Sequence, residues 1–212
     1  MHKTLHYVYD PLCGWCYGAA STLQMLAEST DVKLQLLPSG LFSGAGARNM
    51  DDDFAAYAWS NDQRIEQLTG QRFSERYRQD VLANRQQLFD SHPATMALTA
   101  VALAEPTREV QALKAIQQAR YVDGLDITRL ETLAKVLRGL GLENAVAQLA
   151  QPDAALTDAN NARIAQAQAL LQPLGARGVP AFILEKNGQH QLLPSSAAFS
   201  HAQRFAEQVI AA

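Results

Sequence analysis

The chain has 212 residues and a formal net charge of −3, with 48% hydrophobic and 18% charged residues. That balance describes a globular protein with a sizeable core and excludes a disordered chain. It offers no Lys/Arg-rich block for nucleic acid and no apolar run approaching the roughly 20 residues that span a bilayer, so neither partner is expected.

Thr4 to Tyr9 is rich in β-branched and aromatic residues and predicts a first strand. Ahead of it there is no room for the charged start, apolar run of about 7–15 residues and cleavage site of a secretory signal. The expected location is therefore the cytoplasm. Cys13 and Cys16, the only cysteines, follow as Cys13-Gly14-Trp15-Cys16, and Tyr17 to Leu26 favours a helix. In a reducing compartment a lone pair at this spacing is redox-active or metal-binding rather than a structural staple. A helix start favours the thiolate, the form that attacks disulfides.

Asp31 to Leu37 alternates polar and apolar residues and predicts a second strand, ended by Pro38-Ser39-Gly40. Ser43 to Arg48 reads as a flexible loop. From about residue 51 to 173 the composition turns to Ala, Leu, Gln, Arg and Glu, which predicts helix throughout. One helix is expected to start at Ile127, with Asp126 as N-cap and an apolar stripe of Ile127, Leu130, Leu133, Ala134 and Leu137. Another starts at Ser91-His92-Pro93 and is apolar over most of its circumference. Strands return at Pro180 to Lys186 and Gln189 to Leu193, joined by Asn187-Gly188, a hairpin signal because both turn residues must accept positive φ. A single last helix presents Phe199, Ala202, Phe205, Ala206, Val209 and Ile210 on one face.

Two short motifs within this order carry a resemblance. Asp10-Pro11-Leu12-Cys13-Gly14-Trp15-Cys16-Tyr17 resembles the Asp-x-x-Cys-x-Trp-Cys-Tyr segment of the FrnE-like branch of the DsbA family, which includes predicted protein disulfide isomerases. Gly178-Val179-Pro180 is similar to the cis-proline segment of thioredoxin-like proteins. The resemblance implies an α/β, thioredoxin-like fold (β-α-β … β-β-α) interrupted by a large all-helical insertion. Residues 1–43 and 174–212 would form the thioredoxin-like domain and 44–173 the insertion. It departs from the family at Tyr7, where relatives carry a buried acid six residues before the first cysteine, so proton handling through that acid is not carried over.

The resemblance further implies a thiol–disulfide oxidoreductase or disulfide isomerase that uses no organic cofactor and no metal. Cys13 would be the nucleophile and Cys16 would resolve the mixed disulfide. Val179 and Pro180, with Gly14 and Trp15, would shape a groove for protein or small-molecule thiols and disulfides, glutathione among them. Asp10 is expected to cap the helix start, with a role near Cys13 as the alternative; Tyr17 and His92 are candidate modulators. Two other readings stay open: a glutathione-linked enzyme of the kappa-transferase or hydroxychromene-carboxylate isomerase type, and a non-enzymatic module holding zinc through Cys13, Cys16 and histidine. Relatives of the first type generally lack the second cysteine.

Overall fold

A computed structural model describes residues 3–212. Its centre is β1 (Lys3–Tyr9), and the other strands are β2 (Lys33–Pro38), β5 (Ala181–Lys186) and β6 (Gln189–Leu193). They form one sheet in the order β2-β1-β5-β6. β1 runs parallel to β2 and antiparallel to β5, so it is covered on both edges and both faces. Leu5, Tyr7 and Tyr9 enter the larger core, and Val8 enters a second, smaller core on the opposite face. A strand buried on both sides is expected to carry a near-continuous apolar run. Asn187 (φ 55°) and Gly188 (φ 74°) make the β5–β6 turn, which is the positive-φ hairpin their sequence requires.

The larger core starts between the sheet and three helices, α1 (Gly14–Gly18), α2 (Ala20–Ala27) and, late in the chain, α10 (Ala202–Ala211), and runs on without a break into the helical region. Between β2 and β5 lie α3 (Asp52–Thr69), α4 (His92–Ala104), α5 (Glu109–Tyr121), α6 (Leu130–Gly139), α7 (Glu143–Ala150) and α8 (Ala154–Leu171). Helix does not run unbroken through this segment. A two-stranded pair, β3 (Arg48–Asn49) with β4 (Leu88–Phe89), and a π-helical turn at Tyr77–Leu82 interrupt it. The expected loop at Ser43 contains a short 3-10 turn, Gly44–Gly46, leading into β3.

Helix α8 is shared between the two regions. Near its start Asn160 accepts the Thr99 hydroxyl from α4 at 3.0 Å, while Ala167 packs beneath Val8, Leu37 and Ile183 of the sheet. Arg163 binds both sides: it donates to Thr99 Oγ1 and to the Leu36 carbonyl of β2, each at 2.9 Å, and pairs with Glu109 of α5.

Two expected boundaries move. Asp126 does not cap a helix; its carboxylate accepts the Thr128 N–H (2.9 Å) and hydroxyl, closing a local turn. α6 therefore begins at Leu130, and Ile127 is buried from the preceding turn. The last helix is two, α9 (Ser195–Ser200) and α10, divided at His201 (φ −144°, ψ 60°), so Phe199 lies on a different helix from Phe205 and Val209.

Close packing of α3 on α1 brings the two regions together. A Cβ added at Gly18 would stand 2.6 Å from Ile65 Cγ2, and one at Gly14 would stand 2.3 Å from Asp62 Oδ1. Gly14 and Gly18 are one turn apart, so their bare face is the surface on which α3 rests. Ile65 is fully buried and β-branched, so its methyl cannot swing away. Gly18→Ala is expected to lower unfolding free energy by about 1–3 kcal/mol in urea titrations, against the helix-propensity gain. Combined with Ile65→Ala it should cost less than the sum of the two single changes.

Candidate active site

The strand register builds the site. Val8 pairs with Ala181, which brings the preceding residue, Pro180, to the end of β1 where the chain turns into α1. The Val179–Pro180 peptide bond is cis. Cys13 is the N-cap residue of α1 (φ −86°, ψ 118°), and its Sγ lies 3.6 Å from the Val179 carbonyl oxygen, with donor geometry. Both cysteines are unbridged and within hydrogen-bonding reach of each other. Cys13 retains 8% of its surface exposed and Cys16 only 1%, so an incoming partner meets Cys13 first. Burial pushes the Cys16 thiol well above its ordinary range, and the adjoining Cys13 raises it further.

Cys16 is held by Tyr7 of β1 and by Asp10, the residue just after that strand. The Asp10 N–H donates to Cys16 Sγ at 3.4 Å, and the Tyr7 hydroxyl donates to the Cys16 carbonyl at 3.1 Å. Tyr7 occupies the position of the family's buried acid; burial raises its phenol well above the usual value, so it is a neutral donor. Its ring packs between Tyr9 (5.7 Å) and Phe182 (5.1 Å).

Asp10 is fully buried, and it does not cap α1, whose first residue has no side-chain cap. Its carboxylate accepts the Leu12 N–H (2.9 Å), the Phe42 N–H (3.1 Å) and the Ser91 hydroxyl (2.8 Å). Burial pushes its pKa up to about 6, although these three donors act in the opposite direction. Asp10 thus ties the cysteine turn to the segment after β2 and to the residue before α4.

A second buried acid, Asp62 on α3, lies against Gly14. It accepts the Tyr77 hydroxyl at 2.9 Å, and burial pushes its pKa up to about 7. The buried cation Arg120 lowers both acids without a hydrogen bond. Its guanidinium lies over the rings of Phe89 (5.2 Å), Tyr77 (5.4 Å) and Tyr121 (5.6 Å), and its nitrogens find no hydrogen-bond partner among the described residues. Ring faces take the place of polar partners here.

Beside Cys13 opens a groove of about 650 Å³, within the range of small-ligand sites. Trp15 and Phe199 (5.0 Å between rings) line one side, and Val179 and Pro180 the other. Arg64, 5.9 Å over the Trp15 ring, and the exposed Arg177 add two cations.

Among the expected site residues, Cys13, Cys16, Trp15, Val179 and Pro180 come together. Gly14 is turned toward Asp62 and lies outside the groove lining. Tyr17 does not bond Cys16: its hydroxyl donates to the Arg72 carbonyl at 3.2 Å and its ring stacks on Tyr121. His92 opens α4 in an exposed position, tied through its N–H to Asp90. Among the described residues no histidine or carboxylate joins either cysteine in a three-donor group.

Asp62, Arg120, Arg64 and Arg177 were not predicted. Asp62 shares a helix face with Ile65 and Thr69, three and seven residues on, and that spacing is the one signal that placed it against α1.

Residues 4–206 match the family model described as DSBA-like thioredoxin domain. No curated protein sequence matches the chain. The structure is similar to that of the cytosolic disulfide reductase DsbM from Pseudomonas aeruginosa, at 33% identity and a TM-score of 0.88, covering 97% of this chain and 96% of that one. Against DsbM with GSH the identity is 30%, the TM-score 0.82 and the coverage 97% and 96%. The oxidoreductase DsbA from Xylella fastidiosa shares the fold at 15% identity and a TM-score of 0.55, over 100% of this chain and 88% of that one.

The raised acids set a pH dependence. A carboxyl whose folded pKa lies above its unfolded value near 3.9 favours folding while protonated. Its stabilisation is complete below about pH 4 and is lost as pH rises through the folded pKa, about 6 for Asp10 and about 7 for Asp62. Asp62→Asn is therefore expected to gain stability relative to the parent between pH 5 and pH 8, on the order of a few kcal/mol. Urea unfolding at several pH values checks this, with parallel curves as the contrary result.

Proposed function

Since this chain belongs to the family of DSBA-like thioredoxin domains and is a thiol–disulfide oxidoreductase, we propose that it works as a cytoplasmic disulfide reductase, with Cys13 as nucleophile and Cys16 as resolving thiol. The observation that carries this reading is the asymmetry of the pair. Cys13 lies against Val179 of the groove wall, while Cys16 is enclosed and kept protonated.

The Cys13 thiolate attacks one sulfur of a substrate disulfide. A bond forms between them, and the second substrate sulfur leaves as a thiolate that takes up a proton. Cys16 then gives up its proton and attacks Cys13 Sγ. The Cys13–Cys16 disulfide forms, the first substrate sulfur departs as a thiol, and two electrons have moved from the pair to the substrate. Burial holds Cys16 as a thiol, so the first attack on substrate falls to Cys13. Two thiols of the glutathione class return the pair to the reduced form, becoming a disulfide themselves.

Glutathione suits the groove on physical grounds. It is a small thiol with two carboxylates, and Arg64 and Arg177 offer two cations beside an apolar Trp15–Phe199 wall. The DsbM structure with GSH and the cytosolic assignment of DsbM support the donor and the compartment. The backbone of Gly178 and Val179 would align an extended protein substrate by β-augmentation. Residues 1–43 and 174–212 act as the redox unit, and the helical insertion of 44–173 controls access through α3.

Cys13→Ser is expected to abolish insulin reduction, while Cys16→Ser should accumulate a mixed disulfide with glutathione, visible by mass spectrometry. Undiminished turnover in both variants would overturn the assignment. Arg64→Ala combined with Arg177→Ala should raise KM for glutathione in glutathione-driven insulin reduction about tenfold or more while leaving kcat nearly unchanged, the pattern of lost uniform binding. A fall in kcat at constant KM would instead remove these arginines from substrate binding.

A further inference from the structure

On the smaller-core face of the sheet three side chains converge that thiol exchange does not use. His6 of β1, Glu185 of β5 and His190 of β6 come from three adjacent strands, and Glu185 and His190 are direct register partners. The His6 Nε2 lies 2.8 Å from Glu185 Oε2, and the His190 Nε2 lies 3.8 Å from the same oxygen. One ligand atom from each residue falls within 4.8 Å of the others. The His6 bond also holds Glu185 below its ordinary pKa, so it is a carboxylate at neutral pH.

We propose that His6, Glu185 and His190 form a binding site for a divalent transition metal, zinc foremost, separate from the cysteine pair. The donor set is chemically suited: two imidazoles and one carboxylate serve zinc, with a fourth position left for water. Bonds of about 2.1 Å in tetrahedral array place donor atoms about 3.4 Å apart. The separations found, 2.8 Å and 3.8 Å, lie on either side of that value. Closure needs the His6–Glu185 contact to open by a few tenths of an ångström and His190, whose side chain is 36% exposed, to move in.

The two inner ligands are fixed beforehand. The His6 side chain is only 5% exposed, and its Nδ1 has no hydrogen-bond partner among the described residues. The His6 Nε2 faces the Glu185 carboxylate. A metal at Nε2 would leave the ring its single proton on Nδ1. Lys33 of β2 is the cation acting on Glu185, and it would oppose the ion. Bound metal would clip the edge strand β6 across β5 to the central strand.

The test uses the full-length protein in its disulfide form, which has no thiolate to compete. Titration with zinc by calorimetry, and with cobalt(II) by visible absorption, should show one saturable equivalent without a thiolate-to-cobalt charge-transfer band. His190→Ala should weaken zinc binding by about tenfold or more. Glu185→Gln should do the same. Zinc should also raise the Tm of the parent protein and leave that of His190→Ala unmoved. Absence of a saturable equivalent on the oxidised protein, or unchanged affinity in His190→Ala, would overturn the site. Neither result touches the cysteine chemistry, which Cys13→Ser tests separately.

Discussion

A single buried carboxylate organises the site. Asp10 has no cationic hydrogen-bond partner, and burial makes its charge costly, so its oxygens are satisfied by neutral donors from three segments: Leu12, Phe42 and Ser91. Its own N–H points at Cys16 Sγ. One residue therefore sets the turn that presents Cys13, closes the segment after β2 over it and fixes where α4 begins. Removing the side chain would leave two backbone donors and a hydroxyl unpaired in the interior, a heavier loss than the three bonds themselves.

The two cysteines then differ by environment rather than by chemistry. Cys13 stands at the first turn of α1, beside the Val179 carbonyl and the groove, while Cys16 sits one turn inside, under Tyr7 and the Asp10 backbone. Gly14 and Gly18 let α3 lie directly on that helix, so a residue of the helical region reaches the underside of the redox pair. Asp62, Tyr77 and Arg120 form a buried polar cluster there, with aromatic faces covering the guanidinium. The helical region thus packs directly on the helix that carries the cysteines.

What was legible in the sequence was what local rules control. The strand at Thr4, the Asn187-Gly188 turn and the Cys13–Cys16 spacing each announce themselves within a few residues, and the structure contains all three. Asp10 was legible as important but not in its role, because its partners Phe42 and Ser91 are far away in the chain. Arg120 could not be found this way: a cation without hydrogen-bond partners depends on three rings contributed by separate segments. Asp126 and His201 were misplaced for a different reason. The helical pattern of apolar residues runs through both, and only backbone geometry shows that the chain turns there.

The position of β1 has a consequence for biosynthesis. Its antiparallel partner, β5, begins at Ala181, and the register joins Lys3 to Lys186. While the chain emerges from the ribosome, one edge of this strand stays unmet until β5, on the far side of the helical region, has followed it out. Cys13 likewise waits for Val179 to arrive. The nascent polypeptide carries its reactive sulfurs through translation without their finished binding surface, and that long-range pairing makes completion slow relative to the local helices. Catalytic competence is therefore gained only once the β5–β6 hairpin closes on β1.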